Sequence, residues 1–196
     1  MAGVIAKVAI GAVMWTVLVV GAGGLGMSAV QLARALGASD VIAVDRDPMK
    51  LALAERFGAR TIRATDLSPD DVVAQVRAMT NGRGVDVALE LVGNPDTMRT
   101  ALQSLAPLGR AVVVGLSDIN LPVDTYRDLI GREAELIGSN DHLLSELYEL
   151  VEMADKGILN LADVVMHTVP LQARDINGVL DALDRHAAPI RTVIVP

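Results

Sequence analysis

Residues 16–26 read TVLVVGAGGLG, and the strongest structural signal of the chain lies there. Apolar or β-branched residues lead directly into the glycines, as in a strand that is buried on both faces. Apolar residues then recur at helical spacing as far as Gly37, a residue typical of a helix C-terminus. A second apolar strand ends at Asp45, nineteen residues after Gly26. This order of strand, glycine turn, helix, strand and acid is typical of dinucleotide-binding βαβ units.

The glycines of this segment have distinct structural uses. Gly21 permits a tight turn, and Gly26 lets the following helix approach the strand closely. Gly23 lets backbone amides approach a pyrophosphate, and the candidate binding segment continues through Gly24 and Leu25. The unpaired N–H groups and the positive end of the helix dipole then face the phosphates. The segment therefore predicts a nucleotide-binding turn.

The end of the second strand indicates which dinucleotide is bound. Asp45 can accept hydrogen bonds from the hydroxyls of the adenosine ribose, and its charge repels a 2′-phosphate. Its neighbour Arg46 is a residue type that can accommodate that phosphate. We therefore predict NAD as the cofactor, with NADP as the less favoured alternative.

Composition narrows the class of protein. A chain of 196 residues has room for one sizeable domain, and 52% hydrophobic residues exclude a disordered chain. The net charge of −7 argues against nucleic acid as a partner, because a surface for phosphate backbones needs a basic stripe. There is no cysteine, so neither disulfides nor thiolate-ligated metals can form.

The segment from Val8 to Ala33 contains no charged residue and could be mistaken for a membrane span or a signal peptide. Glycines interrupt it between residues 21 and 26, and a buried strand and an inward-facing helix explain its later part. We therefore predict a cytoplasmic protein with no membrane partner.

The rest of the sequence alternates helix starts with apolar strands. Three predicted helices begin with a cap residue followed by proline, at Asp47-Pro48, Ser68-Pro69 and Asn94-Pro95. Strands are predicted at residues 60–63, 85–92, 110–116 and 134–138. This alternation predicts an α/β fold, a Rossmann-like doubly wound parallel sheet with helices on both faces.

We divide the chain into three parts. Residues 1–15 form a lead-in of unknown role, residues 16–140 the NAD(P)-binding Rossmann domain, and residues 141–196 a helix and strand tail packed on the same unit. The first tail helix is predicted to turn inward the apolar residues Leu147, Leu150, Val151 and Ala154.

In a doubly wound sheet the ligand lies beyond the carboxyl ends of the strands, at the point where the strand order reverses. This rule adds three candidate turns, Val92-Gly93, Gly115-Leu116 and Ser139-Asn140. Glycine in such a turn either allows a ligand close to the backbone or simply reverses the chain.

Several segments together resemble the zinc-type medium-chain alcohol dehydrogenases. They are residues 16–26, the pair Val44-Asp45, and residues 89–93, 109–115 and 190–193. The likeness extends from Thr16 to Val195, in the family's order and with similar gaps. It implies an NAD(P)-binding domain followed by the tail that, in those enzymes, folds back towards the catalytic domain.

The resemblance also implies roles for individual residues and a partner. The residues expected at the cofactor are Lys50 at the adenosine ribose, Val92 and Gly93 along the cofactor, Val114, Gly115 and Leu116 beside the nicotinamide, and Arg191 at the pyrophosphate. A homodimer is expected through the strand near Glu135 to Gly138, because an edge strand invites pairing.

The departures from the family are equally informative. In those dehydrogenases a separate N-terminal domain brings the cysteine and histidine ligands of zinc, the substrate pocket and the proton relay. Here His142, His167 and His186 are scattered over different elements, without acid or thiol neighbours at ligand spacing. We therefore expect no zinc in this chain, name no catalytic residue, and expect the chain alone to be inactive unless a separate catalytic domain joins it.

Three functions fit these residues. The favoured one is the NAD(H)-binding domain of an alcohol-dehydrogenase-like oxidoreductase without its zinc-bearing catalytic domain. The alternative is a non-catalytic NAD sensor or partner-docking module, which the missing ligands favour. A methyltransferase that uses S-adenosylmethionine also places an acid after its second strand, but the later segments suit the dehydrogenase pattern better.

Overall fold

The computed structural model describes residues 14–141, 143–185 and 187–196. Most of the predicted lead-in therefore lies outside the described residues, as do His142 and His186. Within the described residues the strands are β1 (Thr16–Val20), β2 (Asp40–Asp45), β3 (Arg60–Arg63), β4 (Val85–Glu90), β5 (Leu105–Val113), β6 (Glu135–Gly138), β7 (Val165–Pro170) and β8 (Arg191–Val195). The α-helices of the same residues are α1 (Gly24–Ala35), α2 (Pro48–Arg56), α3 (Pro69–Met79), α4 (Pro95–Gln103), α5 (Leu144–Asp155) and α6 (Ala173–Asp184).

The strands from β1 to β6 form one parallel sheet in the order β3-β2-β1-β4-β5-β6. The chain runs outward from β1 to β3, crosses to the other side of β1, and runs outward again to β6. The strand order therefore reverses between β1 and β4, as in a doubly wound sheet. The structure confirms the predicted Rossmann-like α/β fold. Strands β7 and β8 form a separate parallel pair.

Helices cover both faces of the sheet, because alternate residues of each central strand point to opposite sides. In β1, Val17 and Val19 belong to one core cluster, whereas Leu18 and Val20 belong to the other. The helix residues that complete these clusters are Leu32 of α1 and Leu53 of α2 on the first face, and Val76 of α3 and Leu102 of α4 on the second.

The predicted helix boundaries follow from local capping. Asp47, Ser68 and Asn94 each accept a hydrogen bond from a backbone N–H in the first turn of α2, α3 and α4, and a proline follows each of them. Beyond the end of α1, Gly37 has a φ of +94° and donates its N–H to the carbonyl of Arg34 at 3.0 Å. Glycine reaches this left-handed conformation without the steric cost of a Cβ.

Strand β5 differs from its predicted position. It begins at Leu105 and ends at Val113, so residues 114–116 lie in the turn beyond it. Its pairing with β4 shifts register between Val85 and Val87, and Leu108 has a φ of +63°. The strand was predicted from the apolar run that follows Arg110, and that run does not reveal the irregular start, which includes Pro107 and Gly109. Between β5 and β6 the chain forms a π-helical turn, Thr125–Leu129, and a 3-10 turn, Ile130–Arg132.

Most of the described part of the uncharged segment belongs to the core. Residues 16–20 form β1 in the centre of the sheet, and α1 follows with seven buried residues. Among the described helices, none combines the length and the apolar character that crossing a bilayer requires.

The tail contacts the same side of the sheet unit as α1. Leu159 and Val164 belong to the first core cluster, and the side-chain amide of Gln31 exchanges two hydrogen bonds with the backbone of Asn160. In α5, Leu150 and Ala154 pack partly buried against that cluster. The prediction was wrong for Leu147 and Val151, which are 44% and 59% exposed. A helical period identifies an apolar face but not what covers it.

Candidate functional site

The carboxyl ends of four central strands and one edge strand lie side by side. The sheet register aligns Val44 of β2, Val20 of β1, Glu90 of β4, Val113 of β5 and Gly138 of β6. Because all of these strands are parallel, the turns that follow them emerge at the same end of the sheet, the carboxyl end of its strands. This carboxyl end of the sheet carries the glycine segment, Asp45 and the turns at Val92-Gly93, Gly115-Leu116 and Ser139-Asn140.

The glycine segment turns sharply from β1 into α1. Gly21 has a φ of +95° and donates its N–H to the carbonyl of Val44 at 2.8 Å. A Cβ on Gly26 would lie 1.8 Å from the carbonyl oxygen of Gly21, so any side chain there would collide with the turn. Both glycines are therefore required by close packing and backbone conformation, as the sequence indicated.

The N-terminus of α1 is open. Its cap residue is Gly23, and no side chain caps the helix, whereas side chains cap α2, α3 and α4. Apart from Gly23 itself and its two neighbours in the chain, no described residue has an atom within 4 Å of the place that a Cβ of Gly23 would take. Leu25, in the first turn, is 46% exposed. The uncapped amides and the helix dipole therefore face free space, which is the arrangement that binds phosphate oxygens.

Asp45 points into the glycine turn. Its Oδ2 accepts a hydrogen bond from the Ala22 N–H at 2.8 Å, and its Oδ1 accepts one from the Asp47 N–H at 2.9 Å. Each carboxylate oxygen can accept a further hydrogen bond, since it has two lone pairs. The acid thus holds the turn in place and keeps acceptor capacity for a ligand.

The basic residues after Asp45 lie at the rim of this end of the sheet. Arg46 is exposed, and Lys50 is partly exposed in the first turn of α2. The structure brings neither of them into a described contact with the glycine turn.

The turns after β4 and β5 cross in direct backbone contact. Gly93 has a φ of +88°, and a Cβ there would lie 2.1 Å from the Leu116 carbonyl oxygen. A Cβ on Gly115 would lie 2.1 Å from the Gly93 nitrogen. Val92 and Leu116 remain 52% and 87% exposed beside this crossing. The two turns, residues 92–93 and 114–116, therefore form one surface, which we call the floor, and the apolar side chains of Val92 and Leu116 face solvent from it.

Val92 also reaches the glycine turn, because a Cβ on Gly21 would lie 2.6 Å from its Cγ2. Val114 is partly buried and packs against the first core cluster. The candidate floor thus adjoins the candidate phosphate turn.

Arg191 is the first residue of β8 and lies beside the glycine turn. A Cβ on Gly24 would lie 3.4 Å from the Arg191 Cζ and 3.4 Å from the Ile190 carbonyl oxygen. The guanidinium therefore lies against the first residue of α1, beside the open amides. A cation there complements a phosphate group.

Sequence reasoning missed Glu90. This residue is fully buried at the end of β4, and its Oε1 accepts hydrogen bonds from the Val92 N–H, the Gly93 N–H and the Thr97 hydroxyl. The signal was an acid inside the apolar run of residues 87–92, because buried acids need polar partners.

The residues present do not fit a zinc site of the family's kind. The sequence has no cysteine, and no group of three or more potential ligands occurs among the described residues. His167 lies on β7, paired with Thr192 of β8, and belongs to no such group.

Two clefts lie elsewhere in the described chain. One of about 400 Å³ is lined by residues that include Gln31, Arg34 and Arg56, and one of about 500 Å³ by residues that include His167 and Arg174. Neither is lined by a residue of the glycine turn. Enclosed volume is a poor guide here, because open backbone amides at the carboxyl end of a sheet can hold a dinucleotide without an enclosed cavity.

Comparison with known proteins gives the family. Residues 24–156 match the family model of zinc-binding dehydrogenases. L-Threonine 3-dehydrogenase of Bacillus licheniformis is 31% identical over 80% of this chain and 45% of its own length. Sorbitol dehydrogenase of Bacillus subtilis is 30% identical over 87% of this chain and 46% of its own length.

Solved structures agree with this assignment. The alcohol dehydrogenase of the archaeon Aeropyrum pernix is 36% identical with a TM-score of 0.81, over 93% of this chain and 50% of that one. An alcohol dehydrogenase of Thermotoga maritima is 26% identical with a TM-score of 0.86, over 100% of this chain and 55% of that one. The chain thus spans about half the length of its relatives. It belongs to the zinc-binding dehydrogenase family and corresponds to the nucleotide-binding portion of alcohol-dehydrogenase-like oxidoreductases.

Proposed function

We propose that this chain binds NAD(H) and serves as the cofactor-binding half of an alcohol-dehydrogenase-like oxidoreductase. The observation that carries the proposal is the open N-terminus of α1 at Gly23, with the Asp45 carboxylate on the turn before it and the Arg191 guanidinium against Gly24. Free amides, an acid and a cation are the groups that a diphosphate and a ribose require.

Different residues are assigned to different parts of the cofactor. The amides at Gly23, Gly24 and Leu25 bind the diphosphate together with Arg191. Asp45 accepts hydrogen bonds from the adenosine ribose, and Lys50 donates to the same sugar. The nicotinamide lies on the floor formed by the turns at residues 92–93 and 114–116. When bound, NAD supplies hydride transfer.

NAD is favoured over NADP by charge. Asp45 lies on the turn, where its oxygens accept from two backbone N–H groups, and a 2′-phosphate bound beside it would meet its negative charge. Arg46, the next residue along the chain, is exposed. Discrimination therefore rests on Asp45, and its removal should bring the two cofactors closer in affinity.

This assignment is tested by Asp45→Ser, with Asp40→Ser as the matched control. Asp40 begins the same strand at the opposite end of the sheet, where it pairs with Arg60. Asp45→Ser should lower the ratio of NAD to NADP affinity by about tenfold, the effect of losing one charged interaction. Asp40→Ser should leave the ratio unchanged. Fluorescence titration with NADH and NADPH gives both affinities, and an unaltered ratio in Asp45→Ser would show that another residue reads the ribose.

The partners of this half follow from its exposed surfaces. Leu144, Leu147, Tyr148 and Val151 recur at helical spacing along α5 and are 44–69% exposed. An apolar stripe of this kind calls for a covering surface. A substrate-binding domain, which the relatives' additional length would accommodate, is the occupant we assign to it.

We also assign a homodimer to the edge strand β6. It is the last strand of the sheet order, and its residues Glu135, Leu136 and Gly138 are exposed. Pairing of two such edges extends both sheets. Sedimentation velocity distinguishes the dimer from a 20.6 kDa monomer, and a concentration-independent monomer contradicts this assignment. A cytoplasmic location, where NAD(H) is plentiful, accords with this function.

A second candidate function is a non-catalytic sensor in which NAD occupancy controls docking on the α5 stripe. The lack of cysteine and the exposed stripe favour it. The two candidates differ in turnover: hydride transfer to alcohols and aldehydes, measured with and without added zinc, is absent from a sensor even when NADH binds. Turnover by the purified chain would eliminate the sensor.

A further inference from the structure

Glu90 joins the turns that follow β4 and β5. Its side-chain Oε1 accepts from the Val92 N–H at 2.9 Å, the Gly93 N–H at 2.9 Å and the Thr97 hydroxyl at 2.7 Å. Its backbone carbonyl accepts from the Val114 N–H at 3.0 Å and the Gly115 N–H at 3.2 Å. One residue therefore fixes both turns of the candidate floor.

Both turns depend on close backbone contact. A Cβ on Gly93 or on Gly115 would lie 2.1 Å from a backbone atom of the other turn. Such a crossing tolerates no sliding, because the backbones already touch. A shift of the amides at Val92 and Gly93 would consequently move the exposed side chains of Val92 and Leu116 as well.

Stability does not explain an acid at this position. Glu90 is 0% exposed, and its Oε2 is buried without a hydrogen-bond partner among the described residues. Burying an unpartnered polar atom costs free energy, and an apolar side chain would avoid that cost. Glu90 is the last residue of β4, and the three residues before it, 87–89, are buried and apolar. What the carboxylate supplies is the acceptor that fixes the turn at Val92 and Gly93, which crosses the turn after β5.

We propose that Glu90 is a positioning residue, which holds the turns at residues 92–93 and 114–116 in the shape that receives the nicotinamide half of the cofactor. This inference rests on the proposed NAD(H) function. It assigns to Glu90 no contact with the reacting atoms. Its effect reaches the nicotinamide through the backbone of the two turns, whereas the adenosine half lies at Asp45.

The test compares NADH with ADP-ribose, which lacks the nicotinamide, by calorimetric titration of Glu90→Gln and Glu90→Leu. Gln retains an oxygen at Oε1 for the same donors, and Leu has a similar volume with no acceptor. In Glu90→Leu, NADH affinity should fall about tenfold or more, because buried donors lose their acceptor. ADP-ribose affinity should stay within about twofold. Glu90→Gln should bind both ligands about as the wild type does.

A milder pair of variants covers the case in which Glu90→Leu fails to fold. Thr97→Val removes the hydroxyl donor to Oε1, and Thr100→Val removes a buried hydroxyl of the same helix that donates instead to the Asp96 carbonyl. Thr97→Val should weaken NADH about threefold more than Thr100→Val does, with ADP-ribose unaffected.

Specific outcomes overturn the inference. Equal weakening of NADH and ADP-ribose in Glu90→Leu, or in Thr97→Val if Glu90→Leu does not fold, means a general structural role. Unchanged NADH affinity in the variant that folds means that the residue positions nothing. Failure of the wild-type chain to bind either ligand instead defeats the proposed function on which the inference rests.

Discussion

The sheet unit and the tail carry similar apolar periodicity but bury it very differently. Seven of the residues of α1 are buried. None of the residues of α5 or α6, all of which the structure describes, is buried. Leu180 and Leu183 of α6 are 56% and 53% exposed, like the stripe on α5. The contrast teaches that the core of the sheet unit is closed within this chain, with Leu159 and Val164 of the tail contributing to it, whereas α5 and α6 leave their apolar faces exposed.

The first prediction tests this contrast with leucines. Leu32→Ala removes a side chain of α1 that is 1% exposed, and should cost about 2–5 kcal/mol of unfolding free energy because it leaves a cavity. Leu180→Ala, at a position 56% exposed in α6, should change it by no more than about 0.5 kcal/mol. Urea denaturation measures both.

The comparison breaks if the two leucines cost the same. A large loss at Leu180 would mean that the tail surface is covered in solution, for example by a second copy of the chain. Repeating the Leu180→Ala measurement over a range of protein concentrations identifies such self-association, because the stability of an associated species rises with concentration.

The second prediction concerns glycines. Gly26→Ala forces a Cβ to 1.8 Å from the Gly21 carbonyl oxygen, and should lower the free energy of unfolding by about 3 kcal/mol. The same variant should lose NADH binding. Gly178→Ala in α6 meets no atom within 4 Å and should stabilise the chain by about 1 kcal/mol, because alanine is the better helix former. Thermal unfolding measures both. Opposite signs support the contrast, and a destabilising Gly178→Ala contradicts it.

The third prediction concerns pH. Burial raises the pKa of the Asp86 carboxyl, but the hydrogen bond from Arg83, the hydrogen bond from the Thr16 N–H and the charge of Arg83 outweigh it and leave that pKa lowered. A lowered folded-state pKa adds stability above the unfolded pKa, near 4, and that stability is lost as pH falls through the folded value. Asp86→Asn should therefore cost about 1 kcal/mol at pH 7, and the difference should shrink below about pH 4.

The tail offers a matched acid. A hydrogen bond and the charge of Lys156 lower the pKa of Glu152 too, but that pair is exposed on α5 and screened by water and salt. Urea titrations of Asp86→Asn and Glu152→Gln between pH 3 and pH 7 should show a pH-dependent loss in the first variant only. Equal pH dependence in the two variants goes against the contrast between the regions.

Local interactions made much of the fold predictable. The caps at Asp47, Ser68 and Asn94 act within one helical turn, so the sequence alone located the starts of α2, α3 and α4. The glycine turn and Asp45 were predictable for a similar reason, since their spacing encodes a βαβ unit. The structure confirms the strand, turn, helix and strand of this unit.

Interactions between distant segments were not predictable. Glu90 holds turns that belong to two different strands, and the carboxylate of Asp86 accepts a hydrogen bond from Thr16, a residue 70 positions away. Leu147 and Val151 are exposed because no described residue covers them, and their apolar pattern alone does not reveal this. Sequence period predicts which residues are apolar together, whereas burial depends on what packs against them.

The open N-terminus of α1 is the central feature of this account, and calorimetric titration of the wild-type chain with NADH tests it most directly. We predict saturable binding of one NADH per chain, with ADP-ribose competing for the same site through its diphosphate and ribose. No detectable heat of binding at millimolar NADH, or binding that Gly26→Ala leaves intact, would contradict the assignment of the glycine turn as the dinucleotide site.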